Sequence, residues 1–463
     1  MKKETEKLQK DLLFTQPHIA DAAPKTVKKA FAFCEDYKKF LDSAKTEREA
    51  AAEAERRLVK AGYVPFDPQK TYAPGDKVYT VNRGKAVLAS TIGTQPLEKG
   101  VRFMIAHVDS PRLDLKPNPL YEDSDLALFK THYYGGLRKY QWGATPLSLH
   151  GVIYRADGTC ATVRIGDDPG DPVFCVTDLL PHLAAEQSKR TLNEGLKGEE
   201  LNILVGSLPY EDEEAKNRVK LLTMQLLHEK YGITERDFTR AELEAVPAFR
   251  ASDVGFDRSL IGAYGHDDRV CAFAALQAEI GTKKPAHTTL CVLTDKEEVG
   301  SDGTTGLKSD YVFHFVQYLA DRAGADYKTV LVHSLCLSAD VNVAFDPTFP
   351  DVLEKANAAY LNRGVVVTKY TGARGKYDTN DAPAEVLAHV TRMLDKAGVA
   401  WQTGELGKVD CGGGGTIAKY VANRNVDVVD IGVPMLSMHA PFELVAKLDV
   451  YSTYQAFSAL AGE

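Results

Sequence analysis

The 463-residue sequence has no apolar run approaching the about 18 residues that a membrane-crossing helix needs. No membrane partner is therefore expected. The N-terminus, MKKETEKLQKDLLF, lacks an apolar core followed by small residues, so it does not read as a signal peptide. Seven cysteines are scattered along the chain, and no two form a C-x-x-C pair. Most sit in apolar runs and read as buried free thiols in a reducing cytoplasm. An excess of positive charge is missing too: the formal net charge is -8, which argues against nucleic acid or an anionic membrane as the main partner. No internal repeat or low-complexity tract stands out. What remains is an ordinary globular composition, 44% hydrophobic and 26% charged. The length exceeds what one compact core usually holds, so two domains are expected, one inserted in the other.

The stretch around which the chain is organised is Asp-Lys-Glu-Glu-Val-Gly-Ser-Asp-Gly-Thr-Thr-Gly, residues 295–306. An apolar run at 289–294 precedes it and reads as a buried strand. That strand delivers Glu297 and Glu298 to its C-terminal end, where open α/β sheets bind ligands. Adjacent carboxylates repel, so one is usually tied to a cation or has its pKa raised. One metal ligand beside one general base fits this pair, and so does a solvated pair at a helix start.

Helical spacing covers residues 24–41, and a second helix starts at Thr46 with Glu49 completing a capping box. Residues 78–81 and 86–90 read as a hairpin. A short strand at 101–106 ends in His107-Val108-Asp109. The character changes between 118 and 248, where Tyr133-Tyr134-Gly135-Gly136 breaks any regular pattern and a helical stretch is expected at 211–231. No catalytic cluster stands out there. This segment reads as an inserted β-rich domain for assembly, leaving 1–117 and 249–463 as a discontinuous catalytic domain. Beyond 251, helices at 270–280, 309–323, 382–397 and 443–460 alternate with strands at 289–294, 329–337, 365–369 and 426–433. The fold class is α/β, with a mixed, mostly parallel sheet flanked by helices.

Polar clusters sit at the ends of these strands or their following turns: His107 with Asp109, Asp267 with Asp268, Glu297 with Glu298, Asp340, and His439. Singly, each is weak, since a histidine after a strand is commonly a core residue and an aspartate is commonly a helix cap. Parallel topology brings strand C-termini to one edge, so the clusters can converge. Histidines and carboxylates are ligand types that zinc takes.

The order His, Asp, Glu-Glu, Asp, His resembles that of the dinuclear zinc aminopeptidases, and the local motifs resemble those of the aspartyl aminopeptidase and vacuolar aminopeptidase I family. The matching stretches are Ala106-His-Val-Asp-Ser-Pro111, Asp267-Asp-Arg269, Asp295-Lys-Glu-Glu-Val-Gly-Ser301, Ser338-Ala-Asp-Val-Asn342, Cys411-Gly412 with Thr416-Ile417, and Ser437-Met-His439. The resemblance implies a phosphorylase-like zinc-peptidase fold and two Zn2+ per subunit, with Co2+ or Mn2+ as alternatives. It makes His107 and Asp340 terminal ligands of one metal, Glu298 and His439 terminal ligands of the other, and Asp267 the bridge. It makes Glu297 the general base, acting on a metal-activated water, and places Asp109 behind His107. It also implies a cis peptide after Asp267, peptide substrates with a free α-amine, and a tetrahedral dodecamer of this chain.

Substrate contacts are read more loosely. Lys369 falls where aspartyl aminopeptidases place a lysine for an acidic side chain, with Arg374 and Lys376 nearby. Thr416 is expected to shape the substrate pocket, and His182 is the candidate for a histidine that crosses into a neighbouring subunit. The stretch after Asp340 lacks the histidines of aspartyl aminopeptidases, which leaves neutral and acidic N-terminal residues both open. The readings that compete with an aminopeptidase are a metal-dependent deacylase or carboxypeptidase and a non-enzymatic self-assembling shell protein.

Overall fold

A computed structural model describes residues 2–463. Its main sheet has nine strands in the order Val64–Pro65, Lys77–Asn82, Ala86–Thr91, Thr288–Thr294, Val101–His107, Leu335–Ala339, Asp427–Gly432, Val365–Thr368 and Trp401–Thr403. The four strands from Thr288–Thr294 to Asp427–Gly432 run parallel, and antiparallel neighbours flank them on both sides. All positions of Val101–His107 are buried, as expected of a strand covered on both faces. Helices Pro24–Ser43, His266–Gly281 and Lys447–Ala461 cover one face, and Tyr311–Ala323 helps to cover the other. Phe273, fully buried beneath the first group, illustrates the scale: truncating such a side chain to alanine costs about 3–5 kcal/mol.

A second, seven-stranded sheet has its own apolar core around Leu113, Phe129, Trp142 and Leu149. Its first strand is Arg112–Asp123 and its last is Ala241–Pro247, which pairs with both Arg112–Asp123 and Pro146–Tyr154 and so closes the sheet on itself. A third, five-stranded sheet joins Ser252–Val254, Leu260–Ala263, Glu443–Ala446, Pro434–Leu436 and Asn342–Val343. It lies at the C-terminal edge of the parallel strands, because Asn342–Val343 and Pro434–Leu436 continue from two of them. The chain is tight at that edge: a Cβ at Gly432 would lie 1.7 Å from the Asp340 carbonyl oxygen.

Most expected elements form close to their expected bounds, with four differences. Residues 329–337 are not one strand: helix Tyr327–Val332 comes first, because the Asp326 carboxylate caps the Thr329 N–H at 2.8 Å, and the strand begins at Leu335. The final helix starts at Lys447 rather than 443, since Glu443–Ala446 is claimed by ladders to Leu260–Ala263 and Pro434–Leu436. In the inserted segment the helix begins at Arg218, not 211. Tyr133 and Tyr134 do not break the pattern but end strand Leu126–Tyr134, with Tyr134 paired to Arg112. Among the cysteines, all are free, but Cys160 and Cys411 are exposed rather than buried. Among the described residues, no helix is long and apolar enough to cross a membrane.

Candidate metal centre

Three of the four parallel strands deliver site residues directly at their C-terminal ends. Val101–His107 ends on His107, Thr288–Thr294 leads into the turn with Glu297 and Glu298, and Leu335–Ala339 leads into Asp340. The small third sheet supplies the rest. Leu260–Ala263 leads to Asp267 at the start of helix His266–Gly281, and Pro434–Leu436 leads to His439. Neither Asp267 nor Asp268 caps that helix, and the peptide bond between them is cis.

The two carboxylate oxygens of Asp267 face different histidines. His107 Nε2 lies 3.1 Å from Oδ1, and His439 Nε2 lies 3.2 Å from Oδ2. Asp340 Oδ1 is 3.6 Å from His107 Nε2, and Glu298 Oε1 is 3.6 Å from His439 Nε2. Two ligands at zinc's usual bond lengths, in tetrahedral array, sit about 3.3–3.5 Å apart. The observed spacings bracket that value. Donor atoms of His107, Asp267 and Glu298, and of His107, Asp268 and Asp340, all lie within 4.8 Å of one another in each set.

The far sides of both rings are occupied. His107 Nδ1 donates to the Asp109 carbonyl at 3.1 Å and lies 3.3 Å from its Oδ1. His439 Nδ1 donates to the Gly136 carbonyl at 2.7 Å. With both Nδ1 atoms carrying the proton, each Nε2 lone pair is left for a metal. By contrast His266, beside Asp267, is a satisfied core histidine: the Tyr37 hydroxyl reaches its Nδ1 at 2.6 Å and its Nε2 donates to the Ile261 carbonyl at 3.2 Å. Burial pushes its pKa down to about 3.

Asp109 is buried and fully used. Its Oδ1 accepts the Glu297 N–H at 3.1 Å, and its Oδ2 accepts the Glu298 N–H at 3.2 Å and the Tyr134 hydroxyl at 2.8 Å. Asp295 pins the other end of the same turn through Thr305 Oγ1 at 2.6 Å and the Lys296 N–H at 2.8 Å.

The charge balance calls for a cation. Asp267 Oδ1, both oxygens of Asp268 and Glu298 Oε1 are buried without a hydrogen-bond donor. Burial, then repulsion from Asp340, lifts Glu297 to about 8. Burial, then repulsion from Asp267, lifts Glu298 well above its ordinary value. Burial lowers His439, but hydrogen bonding to Asp267 and the charge of Glu298 outweigh it, raising the ring to about 11. Divalent metal in place of those protons would satisfy the same lone pairs and relieve the repulsion. The residues present therefore fit a bound metal.

Other sequence-predicted residues lie where their partners hold them. Lys369 Nζ is 2.9 Å from Asp381 Oδ1 and donates to the Ala382 carbonyl at 3.0 Å. Lys376 Nζ reaches Asp381 Oδ2 at 2.9 Å, and its charge sits 3.8 Å from the centre of the Tyr370 ring. Thr416 Oγ1 donates to the buried Asp430 at 2.6 Å. His182 is exposed on the inserted segment.

Sequence reasoning missed several groups. Tyr134 and Gly136 reach the centre from the inserted segment, where no catalytic cluster was expected. Glu443 is buried and accepts the His439 N–H at 2.8 Å and the Asp267 N–H at 3.2 Å. Its only signal was an acid opening an apolar run. Asp268, named among the strand-end clusters but given no ligand role, belongs to one of the two metal-capable sets.

Comparison with known proteins gives one consistent answer. Residues 40–460 match the family described as "Aminopeptidase I zinc metalloprotease (M18)". A probable M18 family aminopeptidase 1 of Clostridium acetobutylicum is 48% identical over 444 residues, covering 94% of this chain and 95% of its own. Its counterpart in Thermotoga maritima is 47% identical, covering 93% of this chain and 95% of its own. The solved M18 aminopeptidase of Thermotoga maritima superposes with a TM-score of 0.92 at 45% identity, covering 97% of this chain and 99% of that one. A structure described as the S. cerevisiae mApe1 dodecamer shares the fold at 22% identity, with a TM-score of 0.75 over 94% of this chain and 96% of that one.

Proposed function

This chain belongs to the M18 family of zinc aminopeptidases, and from that premise we propose that its centre holds two zinc ions and removes neutral N-terminal residues from unblocked peptides. Aminopeptidase activity follows from the family; the metal count, ligand roles and substrate preference are our reading of the site. The observation that carries the two-zinc reading is Asp267, each of whose oxygens faces a different histidine. His107 and Asp340 would complete one site, and Glu298 and His439 the other. Bound zinc would supply Lewis acidity at the scissile carbonyl and lower the pKa of a water.

The chain's own groups do the rest. Glu297 is assigned as general base: its carboxylate takes the proton of the attacking water and passes it to the leaving amine. Asp109 holds the turn carrying it. Lys369 supports the neutral preference, because Asp381 and the Ala382 carbonyl already hold its ammonium.

Assembly rests on separate grounds. We read the segment from 118 to 248 as an inserted assembly domain and the whole as a homo-oligomer, a tetrahedral dodecamer. Exposed Leu179, Leu180, Leu183 and Leu192 on that segment support an interface there, with His182 among them. Free cysteines throughout suit a reducing cytoplasm.

Hydrolysis of Leu, Asp, Glu and Lys p-nitroanilides, with and without added zinc, tests the substrate reading. Leucine is expected ahead of both acidic residues. Asp or Glu ahead of leucine would overturn the neutral preference, and particle mass by analytical ultracentrifugation would decide the dodecamer.

A further inference from the structure

We propose that the inserted segment is a working part of the metal centre, with the Tyr134 hydroxyl and the Gly136 carbonyl acting as positioning groups for the two ligand histidines. The proposal rests on the ligand assignment above. Tyr134 closes strand Leu126–Tyr134 of the second sheet, and its hydroxyl donates to Asp109 Oδ2 at 2.8 Å. That contact leaves Asp109 Oδ1 turned toward His107 Nδ1 at 3.3 Å and the Glu297 N–H at 3.1 Å. One carboxylate thus gathers a ligand histidine and the turn bearing both glutamates, and Tyr134 sets its rotation.

Two residues on, the Gly136 carbonyl accepts His439 Nδ1–H at 2.7 Å. A Cβ at that glycine would lie 3.4 Å from the same nitrogen, in van der Waals contact with the ring. One short stretch of the second sheet therefore braces both halves of the centre.

Tyr134 is itself fixed. The Arg112 guanidinium lies 3.8 Å from the centre of its ring. Arg112 is anchored by Asp114 at 2.8 Å, Glu47 at 3.3 Å and Glu244 at 3.4 Å. Glu47 opens helix Glu47–Lys60 of the main body, while Glu244 lies on strand Ala241–Pro247 of the second sheet. The seam between the two bodies is thereby wired, through Arg112, Tyr134 and Asp109, to His107. Groups that orient a ligand histidine typically govern about 10–100-fold in metal affinity or activity.

The test uses full-length protein stripped of metal, with zinc affinity read by competition against a chelator of known affinity. Turnover is measured separately at saturating zinc. Tyr134→Phe keeps the ring and removes the donor. It is expected to weaken zinc binding about 10-fold or more and to lower kcat, with KM nearly unchanged and the melting temperature retained. Gly136→Val, whose added methyls crowd the His439 ring that an alanine Cβ would only touch at 3.4 Å, should weaken zinc binding in the same direction and decides the matter if Tyr134→Phe does not fold. Tyr154→Phe, exposed on the same sheet, should change nothing. Folded Tyr134→Phe and Gly136→Val proteins that bind zinc within twofold of the parent would overturn the proposal. Asp267→Ala, run alongside, separates the premises: unchanged zinc content there sinks the ligand assignment, whereas zinc loss there with Tyr134→Phe unaffected sinks the positioning role alone.

Discussion

The backbone N–H of Glu297 is bound to Asp109 Oδ1 at 3.1 Å. The assigned base is therefore held through its main chain by the same carboxylate that faces His107, and its side chain remains free for a proton.

Glu297→Gln should leave that main-chain contact and the zinc content intact while lowering kcat by about 10²–10⁴-fold. Elemental analysis beside steady-state turnover checks both halves. Unchanged turnover in a zinc-loaded variant would rule Glu297 out as the base.

Metal removal should destabilise the fold as well as stop catalysis, because it leaves Glu298 Oε1 and Asp267 Oδ1 buried without partners. Free zinc at 100 times its dissociation constant stabilises the native state by about 2.7 kcal/mol. A chelator should lower the melting temperature and abolish activity, and added zinc should restore both. Full activity after exhaustive chelation would count against a metal-dependent centre.

Lys369→Met should leave the ranking of leucine over glutamate p-nitroanilide within about threefold of the parent, since its ammonium serves Asp381. A selective drop in acidic-residue turnover would instead make Lys369 a substrate contact.

Stability should also depend on pH through a buried cluster between the two bodies. Asp167 lies 2.7 Å from Lys45 Nζ and 3.4 Å from His150 Nε2, while Glu49 lies 2.8 Å from His150 Nδ1. Burial works against the charged form of Asp167, but hydrogen bonding to His150, then the charges of His150 and Lys45, hold its pKa well below 3.8. Burial likewise opposes the protonated form of His150, and hydrogen bonds to Asp167 and Glu49 outweigh it, raising the pKa above 6.5. The aspartate's contribution is present above its unfolded pKa and is lost as pH falls through the depressed value. The histidine's contribution is complete below 6.5 and is lost as pH rises through the raised value. Asp167→Asn, which strands Lys45 in a buried site, should cost about 3 kcal/mol. The melting-temperature gap to the parent should be widest near pH 5–6 and narrow at higher pH. A gap that widens steadily above pH 7 would contradict this assignment.

Much of the site could be read from the chain because its signals are local. A buried parallel strand shows as an apolar run, and the residue that follows it must stand at the sheet's C-terminal edge. His107, Glu297, Glu298 and Asp340 all carry that signature. Residues 329–337 show where local reading fails. Val330, Leu331 and Val332 suit a strand by composition, yet the Asp326 cap turns them into a helix. Glu443 failed similarly, since a small sheet claims it for a ladder that no local periodicity announces.

The sequence by itself determined which residue types stand at the strand ends, and with them the family, the zinc-peptidase chemistry and the candidate ligands. Only the tertiary structure decided that each Asp267 oxygen faces its own histidine, that Asp381 holds Lys369, and that Tyr134 and Gly136 enter from the second sheet. The reason is physical. Ligand residue types are set by what a metal needs at one point of the chain, whereas lone-pair directions and charge neutralisation depend on partners far apart in sequence. The 303-residue separation of Gly136 from His439 is such a case. Those partners meet only once three sheets have packed in register.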